Sequence, residues 1–383
     1  MRKGFWIGAL LCGIAMGMAA GCVNSAGQSN RQGMEKYRAG EYMEASRLFG
    51  QAISQDNDEA EYYVNQGMAD IQLHQCKEAK ESFRKALDLE NDYVLAYRGM
   101  GLACMGLGEY EDAVGYFNQA IANADRTIGD LDYDLIGYRA EAETKAGQYE
   151  DAIASYTQLI DLDVDRTGHY MKRGIARVKN NQMDLALADF QSAVSEDSDH
   201  YALYLEIYQS LKNMGYPDEG LTFLNQALEI EAKTDEERTM RGQVLVLLDR
   251  REEAVEVLEQ AAESGCEEAN FMLARCYEDM ERYSDAEMIY QRLLAGENDS
   301  AMVYNQLAIC KMKQGDYEKA LTMIAQGISM EDTNALSNLY WNEAMVYEAE
   351  GDYIQAYEKI KEYGEQFSYE EDAKKEMTFL KTR

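Results

Sequence analysis

One stretch returns along this chain at a nearly constant spacing, and no other property of the sequence limits the fold as tightly. Gly108 to Phe117 reads G-E-Y-E-D-A-V-G-Y-F. Its opening comes back as G-E-Y-M-E-A from Gly40, G-Q-Y-E-D-A from Gly147, G-D-Y-E-K-A from Gly315 and G-D-Y-I-Q-A from Gly351. Gly40 and Gly108 lie 68 residues apart, twice 34, and Gly147 and Gly315 lie 168 apart, five such periods less two. A fixed period of about 34 residues marks a stack of helical units, each too small to bury its apolar face alone. The single proline in 383 residues, Pro217, agrees with helix almost throughout, since proline removes a backbone donor and clashes with the preceding turn.

Placing the recurrent glycine at position 15 of the unit aligns the whole chain. Position 15 is then Gly40, His74, Gly108, Gly147, Asn181, Gly215, Asp249, Glu281, Gly315 and Gly351. Position 20 is Ala45, Ala79, Ala113, Ala152, Ala186, Gly220, Ala254, Ala286, Ala320 and Ala356, never larger than alanine. Helices that cross closely require side chains this small. Position 24 is large and apolar: Phe49, Phe83, Phe117, Tyr156, Phe190, Leu224, Leu258, Tyr290, Ile324 and Ile360. Position 8 is small again, with Gly33, Gly67, Gly101, Ala140, Gly174, Gly242, Ala274, Ala308 and Ala344. Each unit therefore reads as two helices joined by a tight turn, with position 15 ending the first helix in a left-handed conformation. Register slips fall near Thr127 to Leu131, Ser264 to Cys266 and Asn334 to Leu336, and Pro217 suits the first turn of a second helix.

These residues closely resemble the tetratricopeptide repeat family, whose pattern has small residues at positions 8, 20 and 27, glycine at 15, tyrosine at 17 and an aromatic at 24. The family's usual proline near position 32 is replaced here by Asn57, Asn91 and Asp332. The resemblance implies an all-α fold, an α-α superhelix of about ten hairpins over 33–369, with 370–383 as a capping helix that turns Met377 and Leu380 inward.

The N-terminus carries a second resemblance. Met1-Arg2-Lys3 precedes an apolar run from Gly4 to Ala20, the layout of a secretory signal and short for a membrane span. The run ends Ala19-Ala20-Gly21-Cys22, which is similar to a bacterial lipoprotein signal, although that pattern prefers leucine where Ala19 stands. The resemblance implies removal of 1–21, a lipid on Cys22, a polar tether over 22–32, and an array anchored outside the cytoplasm. An ordinary cleaved signal and an uncleaved anchor are the other options.

Composition narrows the chemistry. A formal charge of −33 argues against nucleic acid as a partner, because duplex binders need a dominant basic surface. The glycine-rich run Gly99 to Gly108 follows no strand, and its glycines sit on the repeat register, so a phosphate loop is not expected. With three histidines and no C-x-x-C, no zinc pattern assembles. Five cysteines remain beyond the leader and Cys22, namely Cys76, Cys104, Cys266, Cys276 and Cys310; Cys104, Cys276 and Cys310 are expected as buried apolar thiols near the core, with a Cys266–Cys276 bridge as an option. No catalytic residue, cofactor or metal is expected.

What remains is the groove that the family's first helices line, through positions 2, 5, 6, 9, 12 and 13. Carried onto this chain, the resemblance places Arg98, Lys145, Lys172, Lys179 and Lys212 there, a basic set in a chain with 70 acidic residues. Further along it places Met240, Val246, Leu247, Phe271, Met272, Met302, Ile309, Met312, Trp341 and Met345, an apolar set. The implied function is a membrane-anchored scaffold that binds a partner protein or peptide in the groove. The alternative is a carbohydrate-binding surface lipoprotein that uses exposed tyrosines and Trp341.

Overall fold

The computed structural model describes residues 25–124, 129–296, 300–367 and 371–383. These residues are helical, with no strand among them, and they divide after Asp197 into two compact units. The first unit holds five hairpins: α1 (Ser25–Arg38) with α2 (Tyr42–Gln55), α3 (Ala60–Gln72) with α4 (Cys76–Leu89), α5 (Val94–Leu107) with α6 (Tyr110–Asn123), α7 (Asp130–Ala146) with α8 (Tyr149–Asp161), and α9 (Arg166–Lys179) with α10 (Met183–Glu196). The second holds five more: α11 (Tyr201–Asn213) with α12 (Pro217–Ala227), α13 (Asp235–Leu247) with α14 (Arg251–Glu263), α15 (Glu267–Asp279) with α16 (Tyr283–Ala295), α17 (Ala301–Lys313) with α18 (Tyr317–Ser329), and α19 (Thr333–Glu350) with α20 (Tyr353–Phe367). A last helix, α21 (Glu371–Leu380), packs on α20, with Leu380 buried and Met377 against the same cluster as Ile360.

Local sterics explain the hairpin. All ten residues at position 15 have a positive φ, from Gly40 at 79° to the non-glycines His74 at 59°, Asn181 at 57°, Asp249 at 59° and Glu281 at 57°. The turn geometry therefore holds even where the residue does not favour it. Position 8 is small because it receives the ring from position 24 of its own hairpin. A Cβ on Gly33 would stand 2.6 Å from Phe49, one on Gly101 2.5 Å from Phe117, and one on Gly174 2.6 Å from Phe190. Each phenylalanine at position 24 faces a glycine, whereas Tyr156, Tyr290, Ile324 and Ile360 face alanine. The sixth hairpin inverts the arrangement. Tyr208 fills position 8, and Gly220 replaces the usual alanine at position 20 because a Cβ there would meet the Tyr208 ring at 2.9 Å and its Cα at 3.2 Å.

The expectation that changes is the tether. The first helix starts at Ser25, so most of the stretch expected as a tether, 22–32, is helical. Ala26 packs with Ala52 and Tyr62, and Asn30 is buried against Asn65 and Glu61. The Gly99–Gly108 run is part of α5: Gly99 accommodates Phe83, and Gly108 closes the helix at φ 77°. Cys266 and Cys276 are both free thiols, one before the first turn of α15 and the other in its buried last turn. Cys22 and the leader 1–21 lie outside the described residues.

Within each unit the hairpins stack in chain order. First helices touch the first helices of the next hairpin, α1 with α3, α3 with α5 and α5 with α7; in the second unit α11 meets α13, α13 meets α15 and α17 meets α19. No comparable contact joins successive second helices, nor α7 with α9 or α15 with α17. The first helices therefore crowd on the inner side of each stack, and the second helices fan out behind them. Two extra residues near Asn334 are absorbed by α19, which is 18 residues long. Among the described residues no helix is long and apolar enough to cross a membrane.

Candidate functional site

In the first unit the inner faces of the first helices are set by what their other faces do. On α5, Gly101 is turned to Phe117 and Gly99 to Phe83, which leaves Leu95, Leu102 and Met105 on the free side. Leu95 is 36% exposed. Met34, Met68 and Ile71 take the same register on α1 and α3, half-buried against the core clusters beneath them. An apolar strip therefore runs along this unit. The register could have shown it, since Met34, Met68 and Leu102 stand at position 9, Ile71 and Met105 at position 12 and Leu95 at position 2, but the charged residues nearby give the stronger signal in sequence.

The basic residues expected on this face separate into different roles. Arg98 is only 9% exposed; it lies 3.4 Å from Asp134 and 5.3 Å from the centre of the Tyr138 ring, so it ties α5 to α7. Lys145 is exposed, 2.9 Å from Glu141 and above the Tyr110 ring, and this pairing raises its pKa. Lys172 is half-buried and interacts locally. Lys179 is exposed, with no ion-pair partner among the described residues. Lys212 belongs to the second unit, where it lies over the Tyr208 ring.

Polar networks absent from the sequence reading hold the hairpins behind this face. Asp189, nearly fully buried, receives Arg173 through two bonds of 3.0 and 2.7 Å and Arg177 at 2.7 Å. Burial pulls the Arg177 guanidinium below its ordinary pKa, against the pull of Asp189. In the preceding hairpin Ser155 donates to Glu143 at 2.8 Å, and Arg139 reaches both. Asn65 donates to Asn30 at 2.9 Å, joining α3 to α1. These contacts cross between helices, so no short motif announces them.

In the second unit the inner face is apolar. Phe271, Met272 and Val246 are half-buried against the core of α13 to α17, and Met312 and Met345 pack against the next clusters along. Met240, Leu247 and Ile309 are also half-buried, while Met302 is 56% exposed. Trp341 meets Tyr363 edge-on at 5.4 Å. Asn342 donates to Asn305 at 2.8 Å, repeating the asparagine pair of the first unit. Beneath this face Glu278 accepts from Gln306 at 3.4 Å and from the Cys310 thiol at 3.6 Å. Burial raises the pKa of Glu278 and pushes the Cys310 thiol up to about 12 and those of Cys104 and Cys276 up to about 11, which keeps these thiols protonated and inert. Among the described residues no group of His, Cys, Asp and Glu could hold a metal ion.

Models of the tetratricopeptide repeat match residues 64–126 and 139–201, and again 245–305 and 279–339, together more than half of the chain. No curated protein matches. Similar solved structures include a tetratricopeptide repeat protein from Parabacteroides merdae ATCC 43184, 15% identical, covering 65% of this chain and 97% of its own, with a TM-score of 0.46. MamA from Desulfovibrio magneticus RS-1 is 19% identical over 47% of this chain and 98% of its own, with a TM-score of 0.42. YrrB, described as a TPR protein with an unusual peptide-binding site, is 20% identical over 48% of this chain and 92% of its own, with a TM-score of 0.38. With its period, its hairpins and its family models in agreement, the chain belongs to the tetratricopeptide repeat family.

Proposed function

We propose that this protein is an exported lipoprotein whose repeats hold partner proteins on the inner faces of their first helices. In this reading 1–21 is a leader, Cys22 carries the lipid, and the hairpins and closing helix form the exported scaffold. The observation that carries it is the pair of apolar strips left half-exposed on the first helices, Leu95 to Met105 in one unit and Met302 to Met312 in the other. A monomer that leaves such a strip partly in water has an interaction surface there, and methionine adapts to the shape of what it meets. The work done is binding: rigid second helices hold the first helices in register, and differences between hairpins select the partner.

A photoreactive amino acid at Leu102 or Met312 tests the site. Discrete adducts are expected from both positions and not from the outer-face position Gln119. Equal labelling from all three would remove the inner faces as the binding site. The anchor is tested separately by labelling cells with a fatty-acid analogue. Cys22→Ser should lose the label and leave the membrane fraction, and a labelled Cys22→Ser protein would sink the anchor.

A further inference from the structure

The last hairpin holds an open pocket of about 470 Å³, lined by Tyr340 of α19 and by Lys359, Glu362, Glu365 and Gln366 of α20. Tyr340 stands at position 4 and the other four residues lie on a second helix, so the pocket is apart from the inner-face positions. Its volume is that of a small-molecule site, and a few polar groups converging around an aromatic wall are what such sites present. Trp341, next in sequence, does not line it and packs edge-on against Tyr363.

The register explains why Tyr340 is available. Position 4 is also tyrosine in the third and sixth hairpins, where the hydroxyl secures the chain that enters the first helix. Tyr97 donates to the Asn91 carbonyl at 2.9 Å and Tyr204 to the Ser198 carbonyl at 3.1 Å, each six residues back. In the tenth hairpin the residue six back is Asn334, which lies inside the lengthened α19. A carbonyl within a helix is taken by the backbone ladder. Tyr340 keeps a ring contact with Phe367, 5.6 Å between centres, and makes no hydrogen bond among the described residues.

Charge and hydrogen-bonding capacity select the ligand. Lys359 lies 3.2 Å from Glu343 and 3.0 Å from Glu362, so the cation of the lining already has its anions. Glu365 and Gln366 are exposed and make no hydrogen bond or ion pair among the described residues. An anionic ligand would face Glu343, Glu362 and Glu365 with only Lys359 in its favour. An ammonium ligand would compete with Lys359 for Glu362 and make no use of the Gln366 amide or the Tyr340 hydroxyl. An apolar ligand would cover these polar groups without pairing them. A neutral sugar ring meets all of them. Its C–H face suits the Tyr340 ring, its hydroxyls donate to Glu365, and its oxygens accept from the Gln366 amide and the Tyr340 hydroxyl.

We propose that this pocket binds a neutral pyranose unit of a glycan, stacked on Tyr340 and hydrogen-bonded by Glu365 and Gln366. Because the pocket is open, the glycan on either side of the bound unit stays in solvent. The site does not depend on the inner faces being occupied by a protein.

The full chain should be applied to an array of neutral glycans and of the same glycans carrying sialic acid, and the strongest neutral ligand then titrated in solution. Retention on the neutral chains, and weaker retention on the sialylated ones, is expected. Glu365→Ala with Gln366→Ala, both at exposed sites, should weaken the titrated affinity about tenfold, as expected for losing a hydrogen bond to a charged group, with the circular dichroism spectrum unchanged. Tyr340→Leu should weaken it at least as much, and Tyr340→Phe, which keeps the ring, by less. Sugar binding that survives both the Glu365 and Gln366 pair and Tyr340→Leu would overturn the site. Equal or stronger retention of the sialylated chains, displacement of the sugar by spermine, or no retention of any neutral glycan would overturn the ligand.

Discussion

The fourth and fifth hairpins stand next to each other in the first unit and use the same three positions for opposite purposes. At positions 7, 11 and 23 the fourth hairpin has Arg139, Glu143 and Ser155, and the fifth has Arg173, Arg177 and Asp189. The carboxylate has moved from the first helix to the second. In the fourth it keeps one hydroxyl and one guanidinium; in the fifth two guanidiniums close on it. Even the outward reach is equivalent, because Arg139 donates to Asn118 and Arg173 to Thr157, both at position 25 of the hairpin before. The difference teaches that the hairpin offers one buried polar socket, and that its occupants can change so long as each charge finds its partner.

The largest effect should come from emptying that socket. Asp189→Ala leaves Arg173 and Arg177 without their anion, with side chains only 12% and 16% exposed. Removing one partner of a buried ion pair costs about 3–5 kcal/mol, and urea unfolding should show a loss of that size. Asp189→Ser should be nearly as damaging by itself. Arg177→Glu added to Asp189→Ser recreates the trio of the fourth hairpin and should recover most of the loss. A double variant as unstable as the single one would show that the two sockets are not equivalent.

Packing gives the next effect. The fifth hairpin has Gly174 under Phe190, and the fourth has Ala140 under Tyr156. In Gly174→Ala the new Cβ would stand 2.6 Å from the Phe190 ring, which must shift, and overpacking of this kind costs about 1–3 kcal/mol. The reciprocal Ala140→Gly loses only helix propensity and a methyl, about 1 kcal/mol. The turns follow. Gly147 has a φ of 79° with nothing near its missing Cβ, so Gly147→Ala should cost about 1–2 kcal/mol from torsion alone. Asn181 holds the same turn at 57°, and Asn181→Gly should gain less than about 1 kcal/mol. Thermal melts of the four variants would rank them, and an Asn181→Gly that melts lower would contradict the torsional account.

The same pair of hairpins shows what could be read from sequence and what could not. Position 15 turns the chain in both, and positions 8, 20 and 24 pack in both, because these contacts close inside one hairpin and recur along the chain, the turn in all ten hairpins and the packing in all but the sixth. The register alone reveals them. The socket partners also lie within one hairpin, but they change identity from one to the next, so no recurrence marks them. Contacts between hairpins were further out of reach. Arg98 sits on a groove position by register, yet Asp134 and Tyr138 of the next hairpin enclose it, and only the stacking brings them there. Lys179 ends its helix with no such neighbour and stays exposed. A basic residue at the right register is therefore a candidate for binding only after the next hairpin has been placed beside it.

The two hairpins should also answer acid in opposite directions, which is the finest test of the comparison. Burial raises the pKa of Glu143 above its ordinary 4.5, only partly offset by Ser155 and Arg139. A carboxyl raised in the fold binds its proton more tightly there than in the unfolded chain. Its stabilisation is complete below 4.5 and is lost as pH rises through the folded value. Burial lowers the pKa of His169 in the fifth hairpin below 6.5, against the pull of the Val164 carbonyl and Asp165 and with the push of Lys172. Its neutral ring is favoured in the fold, so its contribution is complete above 6.5 and is lost as pH falls towards the folded value. Melting temperatures measured between about pH 4.5 and 7.5 should separate the two. Glu143→Gln should remove a component that rises on acidification. His169→Asn, which keeps a donor for the Val164 carbonyl, should remove one that falls. If both variants bend the profile the same way, the neighbouring hairpins do not divide their proton chemistry as their geometry indicates.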